Sequence, residues 1–155
     1  MLSRLSLRLW TILAIMVLAI GPATAQEEAE KLEAPYGVWM PEDEGSKVEI
    51  VSCAEALCGR VVWMEIEHDD EGNILTDIYN PNPALRTAPV LGLVIMTDIK
   101  PTDKEKVWQG RVYNPQDGRT YDFWLTVKSE SQITIQGCGL YNLICQTHTW
   151  NRVES

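Results

Sequence analysis

Between Tyr121 and Val127 the chain reads Tyr-Asp-Phe-Trp-Leu-Thr-Val, and this alternation constrains the fold more than any other segment. Successive side chains of an extended strand point to opposite faces. Tyr121, Phe123, Leu125 and Val127 therefore share one face, and Asp122 and Thr126 take the other. Ile133 and Ile135 alternate with Thr134 and Gln136 in the same way. Similar short runs, rich in β-branched and aromatic residues, predict strands over Tyr36–Met40, Lys47–Cys53, Gly59–Ile66, Val90–Asp98, Lys106–Asn114, Arg119–Lys128, Gln132–Cys138 and Cys145–Val153. Turn chemistry separates them. In Asn114-Pro115-Gln116-Asp117-Gly118 the proline presets φ and the glycine admits positive φ, while Lys128-Ser129-Glu130-Ser131 is a polar hairpin loop. No stretch keeps a helical period for three turns; the best short helix is Pro83–Thr87, inside the long connection from Glu67 to Pro89. The pattern is all-β, an eight-stranded antiparallel meander. Such a meander can close as an up-and-down barrel or fold as a sandwich, and alternation fits both. Closure removes exposed strand edges, and an eight-stranded barrel is either filled by side chains or holds one small ligand.

The start of the chain reads as an export signal. Arg4 and Arg8 precede an apolar run from Leu9 to Ile20, then Gly21-Pro22 and the small-x-small sequence Ala23-Thr24-Ala25. The run is shorter than the ~20 residues a membrane-crossing helix needs, so residues 1–25 are expected to be removed. Residues 26–34 form an acidic, flexible lead-in, and residues 35–155 a single domain with no further span. The expected location is the periplasm or beyond. The formal charge of −9 becomes more negative once Arg4 and Arg8 leave, which repels phosphate backbones and argues against nucleic acid as a partner.

Four cysteines lie in the exported part, Cys53, Cys58, Cys138 and Cys145. An even number in a small exported domain points to two disulfides. Three connectivities are open. Each close pair brackets a short loop between strand-like runs, and a hairpin brings such ends to cross-strand distance, which favours local pairing.

A set of motifs spans nearly all of the exported chain in order. It comprises Gly37-Val38-Trp39, Leu57-Cys58-Gly59-Arg60-Val61-Val62-Trp63, Asp77-Ile78-Tyr79-Asn80-Pro81-Asn82-Pro83-Ala84-Leu85-Arg86 and Pro89-Val90-Leu91-Gly92-Leu93. Trp108 through Pro115, Asp117-Gly118, Tyr121, Gly137-Cys138 and Trp150-Asn151-Arg152 complete it. In these the chain resembles the bacterial secreted domain-of-unknown-function family 2147. The resemblance implies a lipocalin-like antiparallel β-barrel and supplies no activity. Gly37, Trp39 and Arg152 also resemble the Gly-x-Trp and basic-residue pair of true lipocalins, where the arginine lies across the indole at the closed base. That role is structural. A middle lipocalin motif is missing, because Thr76-Asp77 and Thr97-Asp98 both fit it poorly.

Candidate chemistry is sparse. A nucleophilic thiol must be free, and disulfide formation removes the cysteines, so Cys138 with His148 is not read as catalytic. His148 itself reads as a packed or rim histidine. Aligning Gly72 with the glycine of a calcium loop puts Ile78 where a bidentate carboxylate is needed, and two histidines without spare thiols make a poor zinc set. No catalytic residue, metal or cofactor is therefore expected. A polar group in or near the long connection, Asp77, Asn80, Arg86 and Arg119, stands apart: it could pin the loop, or offer an arginine to a carboxylate-bearing ligand at the barrel mouth. The leading expectation is a non-enzymatic binder of a small apolar or amphipathic molecule, with Tyr121, Phe123, Leu125 and Ile135 lining the interior and Tyr113 and Arg86 near the mouth. The alternative is a protein-contact module of the cell envelope with a filled core, and an unrecognised enzyme ranks last.

Overall fold

Each extended run pairs antiparallel with its neighbour in sequence, and the eighth returns to the first, so the sheet closes on itself. The strands of this computed structural model are β1 (Gly37–Pro41), β2 (Ser46–Cys53), β3 (Ala56–Met64), β4 (Val94–Pro101), β5 (Val107–Asn114), β6 (Arg119–Ser129), β7 (Gln132–Gly139) and β8 (Ile144–Val153). Residues 34–42, 45–139 and 144–153 are described. The expected signal segment 1–25 and nearly all of the lead-in lie outside them; Ala34, the lead-in's last residue, is buried. The architecture is a closed, eight-stranded, up-and-down barrel, and the helical piece in the long connection reduces to one 3₁₀ turn, Pro83–Leu85. Asn82 caps that turn by accepting from the Ala84 amide at 3.1 Å.

The meander gives the barrel two distinct ends. One carries the β2–β3, β4–β5 and β6–β7 turns, together with the start of β1 and the end of β8. The other, the mouth, carries the β1–β2, β5–β6 and β7–β8 turns and the long connection, residues 65–93. Two disulfides staple one hairpin at each end. Cys53–Cys58 closes the β2–β3 turn, and Cys138–Cys145 joins directly opposed residues of β7 and β8 at the mouth.

The inward face of β6 is the one its alternation marks, with Phe123 and Leu125 fully buried. β4 departs from the simple reading. Expected over Val90–Asp98, it begins at Val94 and runs to Pro101. Val90 instead donates to the Leu75 carbonyl at 3.0 Å, and Gly92 turns at φ +88°. Between Thr97 and Lys100, two residues of β4 oppose one of β5, and Asp98 takes φ +55°. This bulge resets the alternation. Met96 and Ile99, three apart, consequently both point inward and are fully buried, which strict alternation forbids. β3 likewise starts earlier and stops sooner than the expected Gly59–Ile66.

Candidate ligand-binding site

The closed half is solid. Trp39, Ile50, Ile99, Phe123, Leu125 and Ile133 are each fully or almost fully buried there, and each such side chain contributes roughly 1.5–3 kcal/mol by burial. The seal is Trp39. Its indole N–H donates to the Pro35 carbonyl at 2.9 Å, and the Arg152 guanidinium lies over its ring, 4.2 Å from the centroid. Arg152 also donates to the carbonyls of Tyr36, at 2.6 Å, and of Glu130. Gly37 sits at φ +117° directly beneath that guanidinium, where a Cβ would collide with it. Glycine is needed on both counts. The Gly37–Trp39–Arg152 arrangement matches the one its resemblance implies, and it concerns the base of the barrel only.

The mouth half is hollow. A cavity of about 1070 Å³ opens there, as large as the upper end of the ~300–1,000 Å³ usual for small-molecule sites. Val48, Met96, Ile135 and Trp150 form its floor against the packed half. Val61, Ile95, Val112, Tyr121, Gln146 and His148 stand in its walls. Leu75, Thr76, Ile78, Tyr79 and Val90 of the long connection cover it, and Ser46, Glu65, Asn114 and Gln116 stand at the rim. The floor is apolar and the rim polar.

The covering loop is pinned rather than loose. Asp77 is 0 % exposed, and its carboxylate accepts from the Tyr113 hydroxyl and from Asn80 Nδ2, both at 2.6 Å. Asn80 Oδ1 accepts from the Asn82 amide, and Arg86 Nε donates to the Asn80 carbonyl at 2.8 Å. A buried carboxylate with both oxygens hydrogen-bonded is costly to break, because its donors would be left unpaired in a dry site. Burial, followed by the hydrogen bond to Asp77, raises the Tyr113 phenol to about 12. The same loop packs on the β5–β6 turn, where a Cβ on Gly118, at φ +68°, would strike the Tyr79 carbonyl. A second small cluster lies at that turn. The Tyr121 hydroxyl donates to Asp117, and this bond raises the Tyr121 pKa.

The structure sorts the expected site residues by depth. Tyr113, Tyr121 and Ile135 line the cavity. Phe123 and Leu125 do not: they face inward, as alternation requires, but one and two steps deeper, in the packed half. Arg86 is not part of the wall either, since its guanidinium holds the loop's own backbone. Asp77, Asn80 and Arg86 do form one cluster, whereas Arg119 stands apart beside Asp117 and Tyr121. His148 and Gln146 are wall residues the sequence reading did not select. Their signal was present: Gln146, His148 and Trp150 share one strand face, and Trp150 must point inward. The acidic stretch after His68 closes on itself, Asp69 accepting from the amides of Glu71 and Asn73. Those bonds, the Asn73 ones foremost, hold the Asp69 carboxyl below its ordinary value. No group of three metal-ligating side chains occurs among the described residues.

Comparison with known proteins agrees with this geometry. Residues 37–152 match a family model described as "Uncharacterized protein conserved in bacteria (DUF2147)". Among solved structures the chain is similar to protein HP1028 from Helicobacter pylori, which is described as belonging to the lipocalin family. The TM-score is 0.64 and the identity 22 %, over 77 % of this chain and 83 % of that one. At that identity the likeness concerns the fold. A search of curated proteins returned no match.

Proposed function

The chain belongs to the bacterial family DUF2147, and from that premise we propose that it is an exported, non-enzymatic binder of a small, partly apolar molecule held in the mouth half of the barrel. The observation that carries this reading is the cavity, about 1070 Å³ of space over an apolar floor in a barrel whose other half is packed solid. Unfilled apolar space forfeits contacts, so a domain keeps it where a guest supplies them. Tyr121, Ile135 and Tyr113 would contact the guest, with His148 and Gln146 beside them. Export is supported by the two disulfides and by the leader-like residues 1–25.

The test is native mass spectrometry of protein purified from cells, joined to titration with the neutral dye N-phenyl-1-naphthylamine. A bound mass, or saturable dye fluorescence reduced by Ile135→Trp, is the expected result. A bare mass together with linear, unsaturable dye signal would defeat the reading.

The exposed apolar residues of the long connection favour a second role. Ile66, Ile74, Ile78, Tyr79, Leu85 and Leu91 are all exposed there, an unusual concentration for one surface loop. This supports contact with an envelope protein through the loop, in a barrel whose mouth half is nevertheless hollow. In-cell crosslinking from position 85 that recovers no partner would remove it.

A further inference from the structure

We infer that the cavity selects neutral or cationic amphiphiles and turns away fatty-acid-like carboxylates. The inference rests on the ligand-binding reading and adds the charge of the guest. Among the described residues lining the cavity there is no lysine or arginine; Glu65 is the lining carboxylate and His148 the lining imidazole. A carboxylate moved into such a space loses its water without meeting a permanent cation, a costly transfer. A hydroxyl, amide or ammonium head can donate to the Glu65 carboxylate, which only accepts and repels an anion, while the Gln116 and Gln146 amides serve either kind of head.

The arginines that could alter this are engaged elsewhere. Arg86, a candidate carboxylate clamp, donates to the Asn80 carbonyl, and Arg152 lies on Trp39 at the opposite end. Arg60 pairs with Glu49 and Arg111 with Asp98. Arg119 is not among the lining residues; its amide donates to Asp117 and its side chain stands beside the Tyr121 hydroxyl.

Charge is also divided between the two ends. At the closed end Lys100, Lys104, Lys106, Lys128 and Arg152 stand against Glu55, Asp103, Glu105 and Glu130, so the charges there nearly balance. The mouth carries Glu42, Glu65, Glu67, Asp69, Asp70, Glu71, Asp77 and Asp117 against Lys47, Arg86 and Arg119. On a chain of net charge −9, this places a negative potential at the entrance, which lowers the local concentration of anions and raises that of cations.

The experiment displaces N-phenyl-1-naphthylamine from the purified protein with three probes that share one alkyl tail: dodecanol, dodecylammonium and dodecanoate, all below their micellar concentrations. Dodecanol and dodecylammonium should displace the dye at about tenfold lower concentration than dodecanoate, or less. Glu65→Gln should narrow the advantage of dodecylammonium over dodecanol. Gln146→Lys, which adds a cation to the wall at an exposed position, should improve dodecanoate by about tenfold. Equal or better displacement by dodecanoate on the unaltered protein overturns the charge selection and leaves the binding reading standing. Failure of the dye and all three probes to bind overturns both.

Discussion

The two ends of this barrel are made from the same eight strands, yet they solve opposite problems. At the closed end, large side chains meet and Trp39 is locked by Arg152 from outside and by the Pro35 carbonyl. At the mouth, smaller or polar residues occupy the inward positions, and the space between them is roofed by a loop held through one buried carboxylate. The comparison teaches that closure and hollowness are separate properties of a barrel. Hydrogen-bonded strand pairing determines the first, while the volume of the inward side chains, layer by layer, determines the second.

Substitutions that act differently on the two ends test this contrast. The largest effect belongs to the packed end. Phe123→Ala should cost about 3–5 kcal/mol of unfolding free energy in urea, whereas Val112→Ala, in the cavity wall, should cost less than about 1.5 kcal/mol because its side chain already faces unfilled space. Equal losses would mean that the mouth half is packed too.

Next comes the loop. Asp77→Ala removes the acceptor of Tyr113 and Asn80 and should destabilise by about 2–3 kcal/mol. Hydrogen exchange should rise across residues 76–90 while the strands of the closed end stay protected. Uniform acceleration would show that the loop is not a separate unit.

Arg152→Gln should cost about 1–2 kcal/mol by losing the stacked charge and weakening two carbonyl contacts. It should also change the near-ultraviolet circular dichroism of Trp39 without altering dye affinity at the mouth. A changed affinity would tie the two ends together.

The smallest effect is a pH dependence. Tyr113 keeps its proton more tightly when folded, its pKa raised from 10.0 to about 12. Its contribution to stability is therefore complete below pH 10 and is lost as pH rises toward 12. Unfolding midpoints of the native chain and of Tyr113→Phe should draw together across that window, and parallel curves would count against the Tyr113–Asp77 pin.

Much of the barrel was legible beforehand. β6 and β7 announce themselves by alternation and by their turns, and the local disulfides follow from hairpin ends that must approach. β4 was legible only in part. Its bulge at Asp98 depends on a left-handed backbone that an aspartate tolerates without advertising. For the site, alternation separated inward from outward but carried no information about depth. Phe123 and Tyr121 therefore looked equivalent, although one fills the core and the other faces the cavity. Arg86 stayed open for a related reason: a guanidinium written into a loop can bind a guest or the loop's own carbonyl, and in the folded path of residues 77–86 its Nε donates to the Asn80 carbonyl.

Outside β4, strand identity, hairpin order and the facing of side chains were determined by the sequence alone, because a period of two and local turn chemistry act over a few residues. Tertiary structure alone decided where the hollow lies, which residues roof it and which charges stand at its entrance. Those properties depend on residues far apart in the chain meeting at one height of a closed cylinder, and no local pattern carries that distance.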